Sequence, residues 1–226
     1  MDKSEIRNAA TVILLRDKAT DPKILMGQRG KNAAFMPNKF VFPGGALDKT
    51  DADVPLATAL SEQCMARLQK QSDPDLAVPL VLAAIREVWE ETGLLLGEAS
   101  ATARDQAGNV PPDWRTFFEH GVLPSGAGMK FVFRAITPPG RPRRFDARFF
   151  VVDTDRVASD LDDFDQACDE LSHLQWISLK DARNLDMPFI TEVVLAEIEA
   201  DLREPDRSAR VPFFFNADGQ SNFLRL

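Results

Sequence analysis

Short apolar, β-type runs mark two strands near the start of the chain, 10–15 and 23–26, with the polar stretch 17–22 between them spaced as a hairpin turn. At Phe42-Pro43-Gly44-Gly45 the proline and paired glycines force a tight backbone bend. Apolar residues then recur at helical spacing from 54 to 71, and Ser72-Asp73-Pro74-Asp75 interrupts them. A second helix is predicted from about Leu76 or Val78 to Thr92, with Gly93 placed to end it, and a third around 113–120. Strands at 130–136 and 145–152 flank Thr137-Pro138-Pro139-Gly140, a strand at 171–179 carries Trp176, and 190–202 reads as an amphipathic helix. The run Val211-Pro212-Phe213-Phe214-Phe215 followed by Ala217-Asp218-Gly219 predicts a last hairpin. Strands and helices mixed without strict βαβ alternation predict an α+β fold, or an α/β fold with a mixed sheet. No internal repeat or low-complexity linker divides the chain, so 1–226 reads as one domain.

Composition narrows the function classes. A 226-residue chain with 44% hydrophobic and 27% charged residues is not an intrinsically disordered one. Lys and Arg number 27 against 35 Asp and Glu, and the resulting charge of −8 argues against a broad nucleic-acid surface, which needs clustered cations. Two cysteines, Cys64 and Cys168, cannot form a disulfide framework and are expected to be ordinary buried thiols in a reducing compartment. With no tyrosine, phenol chemistry is excluded. The longest apolar stretch, 76–85, is about half of the roughly 20 residues that a membrane span needs. The apolar piece 9–15 reads as a first strand and not a signal peptide, and Leu224-Arg225-Leu226 is a poor relative of the Ser-Lys-Leu peroxisomal address. The expectation is a cytoplasmic protein without a membrane partner. Its late helix and Phe-rich tail could serve a homodimer interface.

The informative chemistry lies in Arg86-Glu87-Val88-Trp89-Glu90-Glu91-Thr92-Gly93-Leu94. At 100° per residue, Glu87, Glu90 and Glu91 fall within an arc of about 100°, while Val81, Ala84, Ile85 and Val88 line the adjoining side. Three carboxylates on one stripe repel one another. Arg86, four residues before Glu90, offsets one charge, and a divalent cation could offset the rest through carboxylate oxygens. The plainer alternative is a solvated acidic face. Against it stand Gly44-Gly45 upstream and Gly93 after the helix, small-residue loops able to bring backbone carbonyls close to a metal. His120 and His173, the two histidines, lack ligand spacing.

This run resembles the Nudix hydrolase signature G-x5-E-x7-R-E-U-x-E-E-x-G-U, in which U is a bulky aliphatic residue. The second half is matched without exception from Arg86 to Leu94, and Gly45 supplies the opening glycine. The resemblance implies a mixed β-sheet sandwiched between helices. It also implies Mg²⁺ or Mn²⁺ held by Glu87, Glu90, Glu91 and a backbone carbonyl at Gly45, with Arg86 positioning a glutamate. The implied reaction is attack of activated water on a phosphorus of a nucleoside diphosphate derivative. One departure is large: the signature places its arginine 14 positions after its glycine, whereas Gly45 and Arg86 are 41 apart, an excess of 27. The expectation is a helical insertion at about 49–77. Counted back from Arg86, Val78 stands where the signature has its first glutamate, whose role is then absent or supplied by Asp48, Asp51 or Glu62.

Upstream, the chain resembles the coenzyme A diphosphatase branch, of which the peroxisomal type carries a similar interruption. Against the motif L-L-T-x-R-S-x3-R-x3-G-x3-F-P-G-G, Leu25, Arg29 and Phe42 to Gly45 match, while Ala34 replaces the second arginine and Asn38 the glycine. The substrate implied is coenzyme A or an acyl-CoA, cut to 3′,5′-ADP and 4′-phosphopantetheine. The alternatives are an ADP-ribose, NADH or sugar-nucleotide hydrolase, and a binding module that senses a nucleotide without cutting it. Arg29 and Phe42 are the substrate-contact candidates next to the Gly-Gly bend. Arg141, Arg143, Arg144 and Arg148 form a second candidate anion site, or else pair with acids such as Asp146. For the catalytic base, the family points to a loop outside the signature, where Asp169 and Glu170 stand before the Trp176 strand.

Overall fold

A computed structural model describes residues 5–204, 211–217 and 219–226, so Asp218 of the expected last turn lies outside the described residues. The first elements are the hairpin of β1 (Ile6–Arg16) and β2 (Lys23–Arg29), each longer than the apolar run alone marks. Two short strands follow at the Pro-Gly-Gly bend, β3 (Phe40–Val41) and β4 (Gly44–Ala46). Helix α1 (Glu62–Leu68) and the long α2 (Ala77–Thr92) precede a small two-stranded sheet of β5 (Gly97–Ala99) and β6 (Val122–Pro124). Between those two strands lie the short helices α3 (Ala103–Gln106) and α4 (Arg115–Glu119). The remainder is β7 (Lys130–Ile136), β8 (Arg144–Asp153), β9 (Leu171–Ser178), α5 (Leu179–Ala182), α6 (Phe189–Arg203), β10 (Pro212–Ala217) and β11 (Gln220–Arg225).

Among the described residues the main sheet has nine strands in the order β11-β10-β7-β8-β1-β2-β3, with β4 also on β1 and β9 also on β2. The pairings β1 to β8 and β10 to β7 are parallel and the rest antiparallel. A sheet covered on both faces needs apolar side chains on both, and β1 has them. Ala10, Val12 and Leu14 point into the core under α2, and Ile13 and Leu15 into the core under α6. This is the mixed sheet between helices that the sequence implies.

Two expectations need correction. The stretch read as one helix from 54 to 71 follows a 3-10 turn at Lys49–Asp53, runs irregularly and only then forms α1. Its backbone groups have other partners: Ala57 N donates to Pro124 O at 2.8 Å, and Thr58 O accepts from Gly126 N at 2.7 Å. Ser61 then caps α1 by accepting from Cys64 N. Cys64 is buried as expected but Cys168 is exposed.

Arg148 also departs from expectation, being 1% exposed and turned into the protein. It donates to Asn8 Oδ1 at 2.7 Å, Asp146 O at 2.8 Å and Ser72 Oγ at 2.8 Å. Arg134 of the neighbouring strand grips Asp146 with two bonds, 2.8 and 2.7 Å, and reaches Gln71 O at 3.0 Å. This buried trio ties the end of the inserted segment, residues 70–72, to the sheet and so fixes where α2 begins. Asp146→Asn is expected to cost about 2 kcal/mol, because it leaves two buried guanidinium groups without a countercharge. Chemical denaturation with fluorescence detection of the three tryptophans measures it.

Candidate functional site

The plainer alternative for α2, a solvated acidic face, does not describe it: 13 of its 16 residues are buried. Its outer side is covered by the segment between β5 and β6, where Trp114, Phe117 and Phe118 are buried and Phe117 meets Trp89 edge-on at 6.1 Å. Glu87 and Glu91 are buried, so little water is left to take their charges, while the Glu90 side chain stays 34% exposed. Gly93 ends α2 in the left-handed region at φ 74, donating to Trp89 O.

Three consecutive residues of β4 are each met by one side chain of α2. Gly44 N donates to Glu91 Oε2 at 2.7 Å. A Cβ on Gly45 would lie 2.5 Å from the Glu87 carboxyl group, so only glycine admits that glutamate. Ala46 O accepts from Arg86 Nη2 at 3.0 Å. Gly44 is equally constrained from the other side, since a Cβ there would stand 2.5 Å from Ala10 O and 2.6 Å from Thr11 Cα. The Gly-Gly bend thus lets a strand edge sit against a row of carboxylates.

Arg86 is the hub. Its Nε and Nη2 hold both oxygens of Asp51 at 2.9 and 3.1 Å, and Nη1 donates to Glu87 Oε1 and Glu90 Oε2, each at 2.9 Å. Burial works against its charge, but the bond to Asp51 and the surrounding acids outweigh it and raise its pKa. Asp51 is fully buried and also accepts from Asp48 N at 2.9 Å. Of the three acids proposed to stand in for the signature's first glutamate, Asp51 is therefore the one bonded to Arg86. Asp48 is exposed with an oxygen 3.8 Å from Nη2, and Glu62 opens α1. Val78, found by counting back from Arg86, is 38% exposed. Counting forward from Gly45 would have found Asp51, which stands six residues on, at the signature's own spacing.

Burial raises the pKa of all three helix carboxylates. Glu87 is pushed up to about 7 chiefly by desolvation, with Arg86 opposing and Glu90 adding to the rise. Glu90 is raised by desolvation against the pull of Arg86. Glu91 rises well above its ordinary value through desolvation and the charge of Glu87, only partly offset by the Gly44 N–H. Its Oε1 is buried without a hydrogen-bond partner.

The rim of the site comes from β2 and the loop before β9. Arg29 Nη2 donates to Glu170 Oε1 at 2.8 Å. The charge of Glu170 acts on both Glu87 and Glu91, and that of Arg29 on Glu91. The loop carrying Glu170 is anchored by Cys168 N to Glu90 O at 2.8 Å, Asp162 on Arg16 at 2.7 Å and Trp176 Nε1 on Leu161 O at 2.9 Å. Cys168, although exposed as a residue, has its thiol raised by partial desolvation and by the charges of Glu91, Glu170 and Glu90, against a lowering hydrogen bond from the Glu170 backbone. Asp169 is exposed.

Not every candidate gathers here. Phe42 is 3% exposed, its ring packed in the core under α6, so it cannot offer a face to a ligand. Arg148 serves the buried trio described above. Arg144 donates to Thr137 O and pairs with Ile6, four residues along β1 from the partner of Gly45, roughly 13 Å away at strand spacing. Arg141 and Arg143 are exposed, and His173 is exposed beyond the site. His120 stacks edge-on against Trp89 at 5.1 Å.

Among the described residues, no three His, Cys, Asp or Glu side chains already converge as a ligand cluster, because Arg86 Nη1 lies between Glu87 and Glu90. The donor set nevertheless fits a hard divalent cation. Arg29 and Arg86 are set among Asp51, Glu87, Glu90, Glu91 and Glu170, two guanidinium groups against five carboxyl groups, and Glu91 Oε1 has a free, buried lone pair. In chelator, stability is expected to fall as pH rises. Glu87 keeps its proton to about pH 7 when folded, against an ordinary 4.5, so the stabilisation is complete below 4.5 and lost as pH climbs through 7. Melting temperatures from pH 5 to 8 check this, and Mg²⁺ should raise them most at the alkaline end.

No protein-family model matches the chain. It is 30% identical over 185 residues to nudix hydrolase 7 of Caenorhabditis elegans, an alignment covering 79% of this chain. The chain spans about half, 53%, of that relative's length. Its structure superposes on a NUDIX hydrolase from Alicyclobacillus acidocaldarius with a TM-score of 0.59 at 24% identity, covering 88% of this chain and 96% of the other. The NUDIX domain of Shewanella oneidensis NrtR, solved with ADP ribose, gives 0.48 at 11% identity over 89% and 94%, too loose a likeness to carry an argument. The superposition on the Alicyclobacillus structure shows that the chain has the Nudix fold.

Proposed function

We infer that the chain is a Nudix hydrolase, and we propose that it cleaves a diphosphate linkage in coenzyme A or an acyl-CoA, with Mg²⁺ or Mn²⁺ as cofactor. The observation that carries the hydrolase reading is the carboxylate row of α2, with Glu91 and Glu87 buried against Gly44 and Gly45 and Glu90 beside them, more carboxyl groups than Arg29 and Arg86 offset. These carboxylates and the Gly45 carbonyl would hold the cation. Bound there, it supplies Lewis-acid polarisation of phosphoryl oxygen and a lowered pKa for water.

The chain's own residues have separable tasks. Arg86 holds Glu87 and Glu90 at a fixed spacing while Asp51 holds Arg86. The Gly44 N–H fixes one oxygen of Glu91 and leaves the other free. Arg29, 18% exposed at its side chain, takes a substrate phosphate, and Glu170 accepts the proton of the attacking water. The water oxygen bonds to phosphorus as the bond from phosphorus to the anhydride oxygen breaks, and that oxygen leaves with the electron pair.

Support for coenzyme A comes from the segment leading to the bend. Leu25, Arg29 and Phe42 to Gly45 follow the motif. Asn38, at the motif's glycine, adopts φ 61, a left-handed conformation that asparagine tolerates better than most residues. The test is a product-resolved assay with Mg²⁺ or Mn²⁺ against coenzyme A, acetyl-CoA, NADH, ADP-ribose and diadenosine polyphosphates. Release of 3′,5′-ADP from coenzyme A at the highest kcat/KM of the panel is expected. Preference for another member would overturn the substrate, and inactivity on all of them the hydrolase reading.

A further inference from the structure

Arg29 and Glu170 differ from the other charged groups of the site in holding no helix or strand in place. Arg29 ends β2 and its backbone is fixed on both sides, its N–H donating to Lys39 O at 3.0 Å and its carbonyl accepting from Asn38 N at 3.1 Å. Across the ladder it pairs with Leu171, the residue directly after Glu170. The strand register therefore keeps the two side chains neighbours. Their contact is a single bond from Nη2 to Oε1, and Arg29 Nε is buried without a partner.

We propose that this ion pair is an exchangeable latch, in which a substrate phosphate displaces Glu170 from Arg29 and so frees the Glu170 carboxylate for the attacking water. The inference rests on the hydrolase reading given above and adds to it the order in which the two groups act. Glu170 satisfies one nitrogen of the guanidinium and leaves Nε unpaired. A phosphate can offer two oxygens to the Nε and Nη2 edge together, which makes the exchange favourable for that anion. Glu170 is 53% exposed at its side chain, so it can turn away without opening the core. While Arg29 holds Oε1, the Glu170 carboxylate is oriented toward the guanidinium and not toward the attacking water. Once released, Glu170 accepts a proton from that water, the water oxygen bonds to phosphorus, and the anhydride oxygen leaves with the electrons of its broken bond. A ligand whose phosphate does not reach Arg29 leaves the base engaged, so discrimination falls on kcat as well as on KM.

A double-mutant cycle on the full chain tests the latch, with α,β-methylene-ADP and Mg²⁺ as the calorimetric probe. Glu170→Gln is expected to bind the probe about 3- to 10-fold more tightly, since the competitor for Arg29 has lost its charge, and to lower kcat about 100-fold. Arg29→Ala should weaken binding at least about 10-fold. In that background Glu170→Gln should bring no further gain, because nothing remains to be released. Arg29→Lys, which keeps the charge and loses the fork, should fall between wild type and Arg29→Ala. Unchanged or weaker binding by Glu170→Gln would overturn the latch, and so would a gain that persists without Arg29. Additive effects in an active enzyme would overturn the latch alone, whereas coupled binding in a chain that hydrolyses nothing would overturn the hydrolase reading.

Discussion

Glu91→Gln is expected to lower the hydrolysis rate about 10³-fold or more while raising the melting temperature of the metal-free protein. The two effects share one cause. Glu91 is buried, its Oε2 accepts from Gly44 N at 2.7 Å and its Oε1 has no partner. Glutamine fills the same volume and can keep its oxygen on Gly44, but then its NH₂ group stands where the free lone pair was. An amide hydrogen aimed at a cation site repels the cation, and the loss of about 10³ in rate corresponds to about 4 kcal/mol of transition-state stabilisation. Without metal, the same change removes a carboxylate that burial already holds well above its ordinary pKa, so folding no longer has to neutralise or desolvate it. Steady-state assay with Mg²⁺, beside thermal melting in chelator, measures both. Retained activity would remove Glu91 from the metal ligands, and a lowered melting temperature would refute the account of its burial.

Asp51→Ala is expected to destabilise the fold by about 3–5 kcal/mol, because it leaves a buried guanidinium without its bidentate partner. The Arg86 side chain is 5% exposed and that of Asp51 fully buried, so water cannot replace the lost bonds. Activity should fall as well, since Arg86 sets the spacing of Glu87 and Glu90 through Nη1. Asp51→Asn, which keeps the shape and part of the bonding, should cost less than Asp51→Ala. Val78→Glu should restore nothing in the Asp51→Ala background, because Val78 faces outward from the start of α2. Urea denaturation of the three variants checks the ranking, and rescue by Val78→Glu would return the first-glutamate role to that position.

Much of this was legible in the sequence where the signal is local. The apolar run in β1, the run of β7 and the Gly93 stop each depend on neighbouring residues, and each appears where the pattern puts it. The inserted segment was misread because helical spacing does not reveal that Ala57 and Thr58 have backbone partners some 70 residues away, at Pro124 and Gly126. Phe42 and Arg148 were offered to a ligand on the strength of motif position and clustering, yet both are inward-facing strand or bend residues. Which face a side chain takes depends on the neighbouring strands. The arginines at 141–148 are close in sequence but point to different environments for the same reason.

What the sequence determined by itself was the chemistry of one helix: three carboxylates, an arginine four residues before one of them and a glycine to stop it, all set by a period of 3.6. Tertiary structure decided what those charges do. Gly45 and Arg86 stand 41 positions apart, and only the folding of β4 against α2 brings Gly44, Gly45 and Ala46 opposite Glu91, Glu87 and Arg86. Burial against β4 then turns a stripe that would be solvated on an isolated helix into a row of carboxylates with raised pKa and one unpaired oxygen. The opening charge of −8 says only that acids are in excess. Desolvation at this one place is what makes part of that excess need a cation.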